Sequence, residues 1–212
     1  MTLTLYTNPM SRGRIARWML EEIGAPYEVQ IMGYGAEMKG ADYRAINPMG
    51  KVPALVHDGR VVTETAAICA YLADAFPDAG LAPALTERAD YYRWLFFAAG
   101  PLEQAVVNKA LGVEVPEERR GMVGYDTFAT TVDAVDQMLQ ARDYVTGRFS
   151  AADVYLGSHI AWGLMFGTLP ERPSFAAYVA RGRARPALAR ANAADDAAMA
   201  ALQQGQDRAE PR

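Results

Sequence analysis

The sequence predicts an α+β fold in which a β-α-β segment, a β-β-α segment and then a wholly helical domain follow one another. Three observations predict it. Strand and helix signals alternate over about the first third of the 212 residues. In that third, Asp58-Gly59 stands between two short apolar runs and signals a hairpin. No convincing strand signal follows residue 80, where apolar residues recur at helical spacing.

The β-α-β segment opens the chain. Residues 3–5 alternate apolar and polar side chains, a pattern typical of a short half-buried strand. Apolar residues at helical spacing predict a helix over 12–23, which Gly24 would end. Residues 27–31 alternate again, so we expect a second strand there.

The β-β-α segment contains the hairpin. The runs ALVH and RVVT flank Asp58-Gly59, the kind of dipeptide that two-residue hairpin turns prefer. The stretch ETAAICAYLADAF (64–76) predicts a helix stopped by the proline that follows it. Residues 32–50 look irregular or partly helical. We therefore expect an N-terminal domain over residues 1–77.

The second domain is predicted to be all-α. A stretch rich in Pro, Gly and Ala (78–85) predicts a linker. We expect the helical domain to cover residues 86–203, and residues 204–212 to form a polar, disordered tail.

Capping residues mark individual helices of this domain. Thr86 is predicted to cap the first helix, and Pro116 suits a first helical position. Ser150 and Asp153 form an S-x-x-D capping signature. The segment behind them is apolar nearly all round, which predicts a buried central helix.

The composition limits the possible functions. The formal charge of −4 gives no basic surface for nucleic acid. The single cysteine, Cys69, excludes an intrachain disulfide and any zinc site built from several cysteines, and we predict no metal. No signal peptide and no apolar run of membrane-spanning length is visible. We therefore expect a cytoplasmic protein that binds neither nucleic acid nor a membrane.

The stretch NPMGKVPAL (47–55) places a proline where a strand begins. Proline cannot donate a hydrogen bond to a neighbouring strand, and it pushes Val52, the residue before it, toward an extended conformation. Either Pro53 only marks the start of a strand, or the backbone of Val52 stays free to pair with another peptide. The residues alone leave both interpretations open.

Three stretches together resemble the cytosolic glutathione S-transferases. LYTNPMS (5–11) is similar to the N-terminal motif of the serine-type, phi- and theta-like classes. NPMGKVPAL followed by ETAAICAYL resembles the glutathione-binding core, and FSAADVYLGS (149–158) resembles the capping segment of the helical domain. The resemblance covers the whole chain. It implies a thioredoxin-like N-terminal domain and a C-terminal helical bundle, as in a bacterial member of the family.

The resemblance implies a glutathione S-transferase that transfers the thiolate of its co-substrate glutathione to a small hydrophobic electrophile, as a homodimer. It also implies that Pro53 follows a cis peptide bond and that the backbone of Val52 pairs with the cysteinyl residue of glutathione. Two other functions stay open. One is a non-catalytic glutathione-fold module for ligand binding or assembly. The other is a different glutathione-dependent enzyme, such as an isomerase, a dehalogenase or a reductase.

Ser11 is the candidate catalytic residue. It precedes the predicted helix 12–23, whose N-terminus offers partial positive charge and free N–H groups, and its hydroxyl can donate to a sulfur anion. The resemblance places the family's catalytic serine at this position. An ordinary helix cap is the alternative role, and Tyr6, Thr7 and Asn8 are the other candidates for thiol activation.

Four further residues are candidates for the two ends of glutathione. Glu64 and Thr65 start a predicted helix, where the Glu64 carboxylate can bind the γ-glutamyl ammonium. The helix terminus and the Thr65 hydroxyl suit the γ-glutamyl carboxylate. Lys39 and Lys51 can meet the glycyl carboxylate as point charges. Helix capping for the first two and ordinary surface lysines for the others are the alternatives.

Overall fold

A four-stranded mixed sheet lies in the N-terminal part of the computed structural model, which describes residues 2–209. The strand order is β2-β1-β3-β4, with β1 parallel to β2 and antiparallel to β3, and with β4 antiparallel to β3. The strands are β1 (Leu3–Thr7), β2 (Glu28–Ile31), β3 (Ala54–His57) and β4 (Arg60–Thr63).

Among the described residues, five α-helices accompany this sheet in one compact unit, which is made of the residues up to Ala79 together with those from Arg185 onward. They are α1 (Gly13–Ile23), α2 (Ala36–Lys39), α3 (Ala41–Ile46), α4 (Thr65–Ala75) and α10 (Pro186–Ala209). The element order confirms the predicted β-α-β and β-β-α segments. The short helices α2 and α3 occupy the stretch that the sequence left as irregular or partly helical.

Local signals explain the strands and their hairpin. Leu3 and Leu5 in β1 are buried and alternate with half-buried neighbours, as the period of two requires. Between β3 and β4, Asp58 and Gly59 have φ angles of 46° and 77°. Two-residue hairpin turns of the primed type need positive φ at both central positions, so this dipeptide fits the turn.

Helix α10 packs on α1 within the first unit. At the centre of the contact, the Arg17 guanidinium lies 2.8 Å from the Asp195 carboxylate, and both side chains are buried. Burial raises the pKa of the Asp195 carboxyl, while the adjacent guanidinium opposes that shift. Two further ion pairs join the two helices, Arg14–Asp196 and Arg190–Glu21, and Arg185, the residue before α10, pairs with Glu22 of α1.

The second compact unit, Gly80–Ala184, is helical. Its helices are α5 (Ala89–Phe97), α6 (Glu103–Ala110), α7 (Phe128–Ala141), α8 (Ala151–Met165) and α9 (Pro173–Arg183). A wider π-helical turn containing Pro101 joins α5 to α6. No helix of the described chain is long and apolar enough to cross a membrane.

Helix α8 is the central helix of this unit, as predicted. It is buried along most of its length, and the Asp153 carboxylate accepts a hydrogen bond from the Ser150 backbone at 2.9 Å. The same carboxylate accepts from the Val145 backbone and from the Tyr178 hydroxyl. The capping residues read from the sequence therefore also tie α8 to α9.

Two helix starts differ from the prediction. Helix α5 begins at Ala89 rather than after Thr86, because a short 3₁₀ turn (Leu85–Glu87) precedes it. Pro116 likewise precedes a 3₁₀ turn (Glu117–Met122) and not an α-helix. Prolines suit the start of either helical type, so the residue alone did not distinguish them.

The C-terminal end also differs from the prediction. Helix α10 groups with the first unit, whereas the predicted helical domain covers residues 86–203. The helix continues to Ala209, so it includes most of the predicted polar tail. Residues 210–212 of that tail lie outside the described residues.

The buried pair between α1 and α10 gives a stability prediction. Asp195→Asn keeps the side-chain size but leaves the Arg17 cation buried without its counter-charge. We expect the free energy of unfolding to fall by about 3–5 kcal/mol. The matched control is Arg190→Gln, because that pair is exposed and its loss should cost at most about 1 kcal/mol. Urea denaturation measures both values. Equal losses in the two variants would contradict the expectation that the buried Arg17–Asp195 pair matters more than the exposed Arg190–Glu21 pair.

Candidate active site

The loop between β1 and α1 carries Ser11. We call residues 8–11 the serine loop. The half-buried Ser11 donates its hydroxyl hydrogen to the Asn8 carbonyl at 2.7 Å, and its oxygen accepts from the Gly13 N–H at 2.9 Å. This is the local geometry of a residue that helps to start a helix. A hydroxyl has one hydrogen to donate, so Ser11 must turn away from Asn8 before it can donate to a sulfur atom.

The side chains of two other candidates for thiol activation, Asn8 and Tyr6, are engaged in contacts within the protein. The buried Asn8 uses both ends of its amide, because Nδ2 donates to the Met32 carbonyl at 2.8 Å and Oδ1 accepts from the Met10 N–H at 2.9 Å. The Tyr6 ring packs beside the Tyr43 ring in a small apolar cluster. Both side chains therefore hold the loop and the end of β1.

Thr7, the third of these candidates, is fully buried at the end of β1. Its hydroxyl oxygen has no hydrogen-bond partner among the described residues and faces Gly13, the first residue of α1. A Cβ atom placed on Gly13 would lie 1.7 Å from that oxygen and 3.0 Å from the Ser11 oxygen. Glycine at position 13 therefore allows the close approach of β1, the serine loop and α1.

Residues 47–53, which we call the proline segment, are held by side chains from α2 and α3. The Lys51 carbonyl accepts from Asn47 Nδ2 at 2.7 Å and from the Tyr43 hydroxyl at 2.8 Å. Burial is the main cause that raises the pKa of Tyr43 to about 12, so this hydroxyl keeps its proton at neutral pH. The Lys39 ammonium donates to the carbonyls of Met49 and Gly50.

The peptide bond between Val52 and Pro53 is cis, as the resemblance implied. Val52 precedes the sheet, because the pairing of β3 with both neighbours begins at Ala54. No described residue forms a hydrogen bond with the Val52 backbone. An extended peptide can therefore pair with it, while the buried Pro53 fixes the start of β3.

Glu64 and Thr65 stand between β4 and α4. The exposed Glu64 has φ 63° and ψ 118°, a backbone conformation that residues other than glycine rarely adopt. Thr65 is buried and is the first residue of α4. The first N–H groups of a helix lack intrahelical acceptors, so this terminus can receive an anion.

The register of the sheet brings the three motifs to one end. Tyr6 in β1 lies opposite Ala54 in β3, and Ala54 lies opposite Thr63 in β4. The serine loop follows this row in β1, the Val52-Pro53 pair precedes it in β3, and Glu64 follows it in β4. Among the predicted site residues, Lys39 holds the proline segment, and Lys51 is exposed beside Val52.

Comparison with known proteins assigns the family. The family model for the N-terminal domain of glutathione S-transferases matches residues 10–75. Glutathione S-transferase GST-4.5 of Xanthomonas campestris is 30% identical over 168 residues, which cover 76% of this chain and 82% of that protein. The chain belongs to the glutathione S-transferase family. This confirms the predicted family and the prediction of a glutathione S-transferase enzyme.

Solved structures agree with this assignment. A glutathione transferase from Methylococcus capsulatus is 31% identical, with a TM-score of 0.77 over 92% of this chain and 99% of that chain. A sphingomonad glutathione S-transferase, solved in complex with glutathione, is 29% identical, with a TM-score of 0.73 over 91% of this chain and 98% of that chain. The predicted fold class is confirmed.

Cys69 takes no part in the arrangement at the end of the sheet. It is fully buried in α4, and burial raises the pKa of its thiol to about 12. A thiol with that pKa is protonated at neutral pH, which agrees with the interpretation of Cys69 as a small buried apolar residue.

The close approach at Gly13 gives the second prediction. Gly13→Ala places a methyl group against Thr7, so we expect a loss of stability of about 1–3 kcal/mol. Adding Thr7→Ala removes the nearest atom and should recover part of that loss. Gly157→Ala in α8 is the control, since its Cβ would lie 3.6 Å from the nearest atom. Denaturation of Gly13→Ala, Thr7→Ala, the double variant and the control measures the coupling between positions 7 and 13. Additive losses at positions 7 and 13 would contradict the steric argument.

Proposed function

We propose that the first unit binds glutathione, that Ser11 favours its thiolate, and that the thiolate is transferred to a small hydrophobic electrophile. One observation carries this proposal. The sheet register brings the serine loop, the free backbone of Val52 and the start of α4 to the same end of the sheet. These three features match three groups of the tripeptide, which are its thiol, its peptide backbone and its charged γ-glutamyl end.

Backbone pairing would fix the centre of the tripeptide. In the proposed mode, the cysteinyl residue of glutathione forms antiparallel hydrogen bonds with Val52, as an added strand does. The buried Pro53 and the bonded Lys51 carbonyl hold Val52 in place before the ligand arrives. Preorganisation of this kind lowers the entropy lost on binding.

Charged groups would bind the two ends. The Glu64 carboxylate is assigned to the γ-glutamyl ammonium, and Thr65 with the N-terminus of α4 to the γ-glutamyl carboxylate. Lys51 is exposed and is assigned to the glycyl carboxylate. Lys39 donates to two carbonyls of the proline segment, so it adds positive charge at that end while holding the segment.

Thiolate formation is the chemical task of Ser11. An ordinary cysteine thiol has a pKa of about 8.5, so only a few per cent is ionised at neutral pH. Lowering the pKa by about two units makes the thiolate the major form and requires about 2.7 kcal/mol of differential stabilisation. A hydrogen bond from Ser11 and the N-terminus of α1 supply stabilisation of that order. No covalent bond to the protein forms: the thiol releases its proton to solvent, the sulfur forms a bond to the electrophilic carbon, and that carbon loses its leaving group or, in an addition, breaks a π bond and the product takes up a proton.

The resemblance also supports a homodimer in the cytoplasm as the working form. Neither a nucleic acid, a membrane nor a metal ion enters the proposed reaction. Product analysis with a general aromatic electrophile distinguishes this proposal from other glutathione-dependent reactions, because only transfer leaves the glutathionyl group bonded to the product.

Ser11→Ala tests the thiolate assignment. Loss of the hydrogen bond should raise the pKa of the bound glutathione thiol by about one to two units. Turnover at neutral pH should fall about tenfold to a hundredfold and recover partly at higher pH, while glutathione affinity changes little. Thiolate absorbance of the bound thiol against pH is the measurement. Ser11→Thr keeps a hydroxyl and serves as the control. A midpoint that does not move in Ser11→Ala would leave Ser11 as a helix cap.

Glu64 variants separate binding from backbone conformation. Glu64→Gln and Glu64→Gly both remove the charge, so each should weaken glutathione binding about tenfold or more. Glycine accepts positive φ, so Glu64→Gly should be more stable to unfolding than Glu64→Gln by about 1 kcal/mol. Calorimetric titration and urea denaturation give the two quantities. Wild-type affinity in both variants would exclude Glu64 from the site.

A further inference from the structure

Arg14 connects the serine loop to the C-terminal helix of the same unit. Its Nε atom donates to the Pro9 carbonyl at 2.6 Å, and its Nη2 atom donates to the Asp196 carboxylate, also at 2.6 Å. Pro9 is buried in the serine loop, and Asp196 lies on α10. One side chain of α1 thus contacts the loop with one nitrogen and α10 with another.

Each carbonyl of the serine loop accepts a hydrogen bond from a donor in this unit. The Asn8 carbonyl accepts from both the N–H and the hydroxyl of Ser11. The Met10 carbonyl accepts from the Tyr34 hydroxyl at 3.1 Å. The Pro9 carbonyl, two residues before Ser11, accepts from Arg14, and that bond carries a full positive charge on its donor.

The neighbouring ion pairs of α1 and α10 differ from this one. Arg17 pairs with Asp195, and Arg185 pairs with Glu22, so both end on carboxylates. Arg190 binds the side chain and the carbonyl of Glu21, at the opposite end of α1 from the serine loop. Arg14 is the member of this group whose guanidinium also bonds to the serine loop.

We propose that Arg14 is a positioning residue for Ser11 and that Asp196 fixes the orientation of its guanidinium. The inference rests on the proposed function, in which the Ser11 hydroxyl must reach the sulfur of glutathione. A displacement of the order of 1 Å at a reacting group can reduce the rate by about a hundredfold, so the loop needs a fixed position. Helix α10 thereby takes part in the chemistry without touching the substrate.

Lysine cannot replace arginine in this arrangement. The guanidinium presents Nε and Nη2 in a fixed planar geometry, which lets one side chain donate to two acceptors in different directions. A lysine ammonium at position 14 keeps the charge near Asp196, but its single nitrogen cannot occupy both of the positions that Nε and Nη2 hold beside the Pro9 carbonyl and Asp196. Arg14→Lys should therefore behave like Arg14→Gln in the serine loop, although it preserves the ionic attraction to α10.

The test compares Arg14→Gln, Arg14→Lys and Asp196→Asn with the control Arg190→Gln. The first readout is hydrogen–deuterium exchange in the ligand-free protein over residues 8–13. Exchange there should accelerate in both Arg14 variants, and to a smaller extent in Asp196→Asn, and should stay at the wild-type rate in Arg190→Gln. This readout needs no glutathione, so it tests the hold on the loop even if the proposed function fails.

The second readout is the pKa of the bound glutathione thiol, measured with the pH–rate profile. In Arg14→Gln the thiol pKa should rise and kcat at neutral pH should fall about tenfold, with partial recovery at high pH. Unchanged exchange over 8–13 would overturn the proposal, and so would faster exchange with a wild-type thiol pKa. A wild-type protein that does not bind glutathione would count against the proposed function itself.

Discussion

The pairing of β3 between β1 and β4 is the constraint on which the site depends. In an antiparallel pair the register decides which residues stand opposite one another, and a slip of one position turns every side chain to the other face of the sheet. The observed register aligns Tyr6, Ala54 and Thr63. Because three loops begin or end within two residues of this row, three segments far apart in the sequence share one end of the sheet.

Several polar groups at this end, Ser11 among them, are hydrogen-bonded within the protein, so a ligand that binds them must exchange those bonds. Ser11 illustrates why the exchange is inexpensive. When its hydroxyl turns toward a ligand, the Asn8 carbonyl still accepts from the Ser11 N–H at 3.0 Å. The carbonyl is therefore not left without a partner, which would otherwise cost about 1–3 kcal/mol for a buried group. The capping role and the proposed catalytic role of Ser11 are thus compatible, because the same hydroxyl can donate to the Asn8 carbonyl before a ligand binds and to the ligand afterwards.

The sequence predicted those parts of the fold that depend on neighbouring residues. Asp58-Gly59, Gly24 and the Ser150–Asp153 cap act within a few positions, and each was identified from its local pattern. The contact between α1 and α10 was not predicted. Arg14 and Asp196 are 182 positions apart, and charged residues on the surface of two helices carry no signal that they will pair. The role of Lys39 in holding the proline segment was missed for the same reason, since an exposed lysine usually contacts water.

Glu64 shows what a structure adds to a motif. From sequence, an acidic residue before a helix is accounted for by the helix dipole alone. The backbone makes that explanation insufficient. A residue other than glycine at φ 63° costs of order 1–3 kcal/mol of stability. An acidic residue inside the first turn would interact with the dipole without that cost. Its side chain forms no capping bond at the start of α4. A strained position occupied by an exposed carboxylate, at the end of the sheet where the serine loop and Val52 also lie, supports the proposal that Glu64 binds the ammonium group of a ligand, since the stability of α4 does not require it there.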